Sequence, residues 1–125
     1  MSLAVGVIGA GVMGGFHARL FADEISGARL VAVSDPDPGR AHLAAQGAQV
    51  FAEGLPLIES DVVEAVLVAA PDTAHHDLVM AAIRLGKPVL CEKPLASTVA
   101  QCREIVEADA GRNLVSVGFM RRFDP

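Results

Sequence analysis

Five apolar runs, each too short for a helix, recur along the chain at Leu3 to Ile8, Leu30 to Val33, Ala65 to Ala70, Val89 to Cys91 and Leu114 to Val117. They are nearly continuous rather than alternating and rich in β-branched residues, the pattern of strands buried on both faces of a parallel sheet. The segments between them have helical period. Phe16, Leu20 and Phe21 form one apolar stripe ahead of Ser26-Gly27. Leu78, Met80, Ala81, Ala82 and Leu85 form a second, which predicts a helix capped by Thr73 and stopped at Gly86. A third helix is predicted from about Thr98 to Asp109, with Cys102, Ile105 and Val106 as its apolar face and Gly111 beyond it. The stretch Asp37 to Gly47 reads as a shorter Ala-rich helix, Gln49 to Phe51 as a short strand and Leu55 to Glu59 as a helical turn or two. Strand and helix alternating in this way predict right-handed crossovers and an α/β, doubly wound parallel sheet of Rossmann type.

At 125 residues and 52% hydrophobic, the chain is large enough for one well-buried core and too short for two ordinary domains. The net charge of −5, with no cationic cluster beyond Arg121-Arg122, predicts no nucleic-acid and no membrane partner. No apolar run approaches the roughly 18 residues of a membrane span, and the N-terminus has no basic region ahead of its apolar stretch. Cys91 and Cys102 lack the close spacing of a metal or redox pair and read as packing residues in a reducing compartment, so the expected location is cytoplasmic. Tyr and Trp are absent, which leaves backbone, charge and small residues to build a binding site.

In a doubly wound sheet, ligands bind beyond the carboxyl ends of the strands, and three motifs fall there. The first is GVIGAGVMGG. Gly9, Gly11 and Gly14 form G-x-G-x-x-G between the first strand and the first helix. Here the backbone can approach a pyrophosphate, and the helix N-terminus offers it unpaired N–H groups. Glycine is also common in turns for purely steric reasons. The second is VAVSDPD, whose Asp35 follows Gly14 by 21 positions (35 less 14). A carboxylate at that separation accepts from the adenine ribose hydroxyls and repels a 2′-phosphate, which predicts NAD rather than NADP. The other readings of the segment are a plain Asp-Pro turn and an Arg40 turned towards a phosphate.

The third motif is LCEKPLA. Glu92 and Lys93 emerge at the end of a strand, and Pro94 removes a donor and restricts the lysine before it. A lysine presented there can relay a proton or polarise a carbonyl; the alternative is a surface lysine paired with Glu92. A cis bond between Lys93 and Pro94 is open to this sequence.

Together the glycine turn, Asp35, AAPDTAHHDLVMAAIRLGKPVLCEKPLA and the closing VGFMRRFDP resemble the N-terminal half of the Gfo/Idh/MocA oxidoreductases, and within them the myo-inositol 2-dehydrogenases. The resemblance covers essentially the whole chain. It implies a two-domain enzyme that uses NAD or NADP on sugars, inositols and related polyols; the alternatives are another reductase of the same family, acting on an imine, bilin or keto-sugar, and a non-catalytic dinucleotide-binding module. Lys93 is similar to the family's catalytic lysine, and Pro71, Asp72 and His75 match a P-[NDT]-x-x-H segment beside the cofactor. By position alone, His75 and His76 read equally as solvated or capping histidines. The expected cofactor contacts are Gly9, Ala10, Gly11, Val12, Met13, Gly14, Asp35, Ala70, Pro71, Asp72, His75, Glu92 and Lys93, with Met120 and Arg121 on the substrate side. The expected boundaries are 1–120 for the dinucleotide-binding domain and 121–125 for the start of a link. The resemblance further implies a substrate domain outside this chain that carries a catalytic histidine, and a homo-oligomer for the full-length form. The chain alone is expected to bind dinucleotide and to turn over polyol poorly or not at all.

Overall fold

In a computed structural model, residues 2–19 and 27–118 are described, without the side chains of Val12, Met13, Phe16 and Asp72. The elements follow in the order β1 (Leu3–Ile8), α1 (Val12–Arg19), β2 (Ala28–Ser34), α2 (Pro38–Ala45), β3 (Gln49–Phe51), α3 (Gly54–Glu59), β4 (Ala65–Val68), α4 (Asp72–Arg84), β5 (Val89–Glu92), α5 (Val99–Asp109) and β6 (Val115–Gly118). Among the described residues all strand pairs are parallel, and the six strands lie in the order β3-β2-β1-β4-β5-β6. Strand order reverses between β1 and β4, which opens a crevice at their carboxyl ends.

Continuous apolar strands are needed because each side of the sheet has its own core. Along β1, β2 and β4, Ile8, Ala32, Val66 and Val68 face one cluster, which is closed by Leu57 and Ile58 of α3, Val79 and Ile83 of α4 and Ile105 of α5. Their neighbours Val7, Val33 and Leu67 face a second cluster, closed by Ala18 of α1 and by Ala41 and Ala45 of α2. This is the strand period of two applied to two helical layers. The alanines of α1 and α2 let that layer lie close to the strands that carry the glycine turn.

Helix ends follow sequence signals in two cases. The Asp37 carboxylate accepts from the Gly39 amide at 2.9 Å and starts α2, and the Thr98 hydroxyl accepts from Gln101 at 3.1 Å and starts α5. Thr73, predicted as a cap, instead lies inside α4. The helix starts at Asp72 because Pro71 is already extended (φ −56°, ψ 150°), and among the described residues no side chain caps it. Val106, predicted on the apolar face of α5, is 66% exposed, while Ile105 is buried. The buried stripe runs through Cys102, Ile105 and Ala108, and Val106 lies one residue, about 100° of helix, away from it. The strand read as Ala65 to Ala70 ends at Val68, so Ala69 and Ala70 belong to the crevice. The predicted contributions of Leu20, Phe21, Met120 and Arg121, and that of the Phe16 side chain, lie outside the described residues.

Candidate functional site

The glycine turn is fixed from both sides. The Gly9 amide donates to the Ser34 carbonyl at 2.8 Å and the Ala69 amide to the Ile8 carbonyl at 2.8 Å, tying the end of β1 to β2 and β4. Gly9 has φ +97°, and a Cβ placed on it would lie 2.6 Å from the Ala69 carbonyl oxygen. A Cβ on Gly14 would lie 1.7 Å from the Gly9 carbonyl oxygen, so this glycine is required by the approach of helix to turn.

Gly11 differs from both. A Cβ there would meet nothing among the described residues within 4 Å, and its φ lies outside the left-handed region. Among the described residues no neighbour requires glycine at this position, and its backbone is unstrained. The space above it is the cradle that a pyrophosphate would fill at the start of α1, so the residues present fit a dinucleotide.

Asp35 stands at the end of β2 and is only 7% exposed. Its Oδ2 accepts from the Ala10 amide at 2.8 Å, inside the glycine turn. Its Oδ1 accepts from the Asp37 amide at 2.8 Å. Each carboxylate oxygen has a second lone pair, so the group keeps capacity for a ribose hydroxyl. Arg40, half exposed on α2, lies 3.7 Å from Asp35 and 3.6 Å from Asp37. It rests against the carboxylates at distances too long for hydrogen bonds. A groove of about 620 Å³ begins at Ala10 and Gly11 and runs past Arg40 to Ala44.

Lys93 is exposed just beyond β5. The bland alternative, a lysine neutralised by its neighbour Glu92, is not what the structure forms. The Glu92 carboxylate instead meets the His17 ring on α1 at 2.8 Å, with both side chains largely buried. Among the described residues Lys93 has no ion-pair or hydrogen-bond partner. The Lys93–Pro94 peptide bond is cis. The contact from His17 was not anticipated; the one signal for it in the sequence is a histidine three residues after Gly14 (17 less 14), on the helix that the glycines press against the sheet.

His75 is neither solvated nor capping. It is 1% exposed, with Nδ1 2.5 Å from the Pro94 carbonyl oxygen and Nε2 2.7 Å from the Ala70 carbonyl oxygen. It therefore lies beneath the crevice floor formed by Ala70 and Pro71. The half-buried His76 is separate from it and faces Asp77 at 2.9 Å and Glu104 at 3.3 Å. Val12, Met13 and Asp72 lie at the predicted helix starts, their side chains outside the described set. Met120 and Arg121 are likewise outside it. No group of three or more metal-ligating side chains occurs among the described residues.

The carboxyl ends of β1, β2, β4 and β5 thus bring a glycine cradle, an acidic residue and an unpaired lysine to one rim, the arrangement of a dinucleotide-binding Rossmann domain. Comparison with known proteins narrows the class. The chain belongs to the Gfo/Idh/MocA oxidoreductase family, NAD-binding Rossmann fold, which it matches over residues 3–119. It is 54% identical over 127 residues to an inositol 2-dehydrogenase of Rubrobacter xylanophilus, covering 98% of this chain and 37% of that protein. A myo-inositol dehydrogenase from Lactobacillus casei, solved with NAD(H) and myo-inositol, superposes with a TM-score of 0.90 at 35% identity, over 99% of this chain and 38% of that one. The scyllo-inositol dehydrogenase of the same organism, with NAD(H) and scyllo-inositol, gives a TM-score of 0.91 at 28% identity, with 99% and 38% covered. The chain therefore spans less than two-fifths of the length of these relatives. Among the described residues no helix is long and apolar enough to cross a membrane.

Proposed function

We propose that this chain is the NAD-binding half of a dehydrogenase that transfers hydride between a ring carbon of a cyclic polyol, inositol first among them, and a nicotinamide. The observation that carries the reading is Gly11, a glycine that none of its described neighbours requires, beside an Asp35 that holds the same turn. Gly9 to Gly14 and the start of α1 would hold the pyrophosphate, and Asp35 the adenine ribose. Ala70, Pro71 and Asp72 would line the other wall, with Glu92 and Lys93 at the nicotinamide end. Asp35 favours NAD, because its charge repels a 2′-phosphate. His75 acts from beneath this wall.

When bound, the nicotinamide accepts hydride from the carbon that bears the hydroxyl. The part of Lys93 is to hydrogen-bond that oxygen and, together with a histidine outside this chain, to manage the hydroxyl proton as the carbonyl forms, and the turn that carries it supplies orientation. Residues 1–120 are read as the dinucleotide-binding domain and 121–125 as the start of a link, with Met120 and Arg121 towards the substrate. A polyol pocket, a partner histidine for Lys93 and a homo-oligomer interface are assigned to the rest of a longer protein, and the setting to the cytoplasm.

Calorimetric titration of the purified chain with NAD and, separately, NADP tests the reading, followed by an inositol oxidation assay on the same sample. The expected result is NAD binding, weaker NADP binding and little or no oxidation. A folded chain that binds neither nucleotide would overturn it.

A further inference from the structure

The parallel hydrogen-bond ladder between β4 and β5 pairs Val66 with Val89, Leu67 with Leu90 and Val68 with Cys91, and stops there. Lys93 stands two residues past the last pair (93 less 91). Ala70 stands two past it on the other strand (70 less 68). Among the described residues no backbone–backbone hydrogen bond joins residues 69–71 to residues 92–97. Pro94 has no N–H to extend the ladder. On its other edge β5 stays paired with β6 as far as Glu92 and Gly118, one residue short of Lys93, so on the β4 side the direction of the lysine depends on what holds its turn.

His75 is placed to do so. Its ring is buried in the first turns of α4, and its two nitrogens face the Pro94 and Ala70 carbonyl oxygens, one from each strand extension. Carbonyl oxygens only accept and a neutral imidazole carries a single N–H, so the ring donates in one of these two contacts, of which that to Pro94 is the shorter. The other flank of the turn is held by a different group, since the preceding residue Glu92 meets His17 of α1. We infer that His75 is the positioning residue for Lys93: by donating from Nδ1 to the Pro94 carbonyl it continues the β4–β5 connection where the backbone ladder ends, and fixes the direction of the lysine relative to the cofactor wall at Ala70. The inference rests on the reading of Lys93 as the proton-handling group. It assigns His75 a role through the lysine turn, without contact to cofactor or substrate.

The test is heteronuclear NMR on the labelled 125-residue chain, with the variants His75→Ala and His75→Gln. In the wild type, the ring spectrum is expected to show a slowly exchanging proton on Nδ1 of His75; a ring protonated at Nε2 alone would overturn the proposal. In His75→Ala, the backbone amide signals of Lys93 and Leu95, on either side of Pro94, are expected to shift and broaden, while those of β1 and α2 stay in place. His75→Gln keeps a donor in similar volume and is expected to bring these signals back towards the wild-type positions. Unmoved Lys93 and Leu95 signals in a folded variant, or changes spread evenly through the core, would overturn it. Should His75→Ala fail to fold, the His75→Gln signals and the wild-type ring spectrum decide between the same outcomes. Titration of the wild-type chain with NAD separates the two levels: absence of binding defeats the dinucleotide reading, while the lysine-turn signals still decide the clasp.

Discussion

The carboxylate of Asp35 reaches from the end of β2 into the glycine turn and accepts the Ala10 amide at 2.8 Å. The residue expected to read the ribose therefore also shapes the pyrophosphate cradle. On the proposed reading, binding of the two parts of a dinucleotide would be coupled through this one buried side chain.

That dual use makes Asp35→Asn informative. The substitution preserves volume but removes the charge and one of two acceptors, so a backbone amide loses its partner at a cost of about 1–3 kcal/mol. Thermal unfolding should register this loss. The ratio of NAD to NADP affinity, measured by calorimetry, should fall by about tenfold or more, the equivalent of ~1.4 kcal/mol.

The glycines separate folding from binding. Gly14→Ala drives a methyl group into the Gly9 carbonyl and should lower stability by about 2 kcal/mol or more, read as a drop in melting temperature. Gly11→Ala meets no atom of the described residues and should leave the melting temperature within a few degrees of wild type, or raise it. Its NAD affinity should nonetheless fall at least about tenfold. Undiminished binding by Gly11→Ala would mean that the pyrophosphate does not lie over this residue.

The pair formed by His17 and Glu92 joins the helix of the glycine turn to the strand that leads into Lys93. A double-mutant cycle with His17→Ala and Glu92→Ala, followed by denaturant unfolding, should return a coupling of about 0.5–2 kcal/mol. A coupling near zero would show that the contact does not contribute to holding the two elements together.

Away from the crevice, the Lys87 ammonium donates to the Ile58 carbonyl at 2.5 Å and to the Ser60 carbonyl at 2.9 Å, closing the C-terminal end of α3. Lys87→Met should cost about 1–3 kcal/mol, because charge-assisted bonds to terminal helix carbonyls are lost. NAD affinity should be unchanged, which makes this variant a control for effects of stability alone.

Much of the fold was legible because its signals are local. Continuous apolar runs of strand length, the Asp37 and Thr98 caps and the glycines after α2 and α5 specify elements within a few residues of themselves, and even the short β3 and α3 lie where the pattern predicts. Thr73 and Val106 were misread for related reasons. Pro71 set the start of α4 before a hydroxyl could, and the side of α5 that meets the sheet was fixed by neighbours distant in sequence.

The sequence by itself determined the alternation of strand and helix, the glycine turn, the acidic residue at the end of β2 and the lysine before a proline, since each depends on residue type and short spacing. Only the tertiary structure decided which partners those groups take: Asp35 with Ala10 across 25 positions, Glu92 with His17 across 75, and His75 with Pro94 across 19. Such contacts arise because the parallel sheet brings the carboxyl ends of β1, β2, β4 and β5 to one rim. No local pattern encodes them, as a polar side chain beside its own neighbour is free to bond elsewhere once the strands have set what stands next to it.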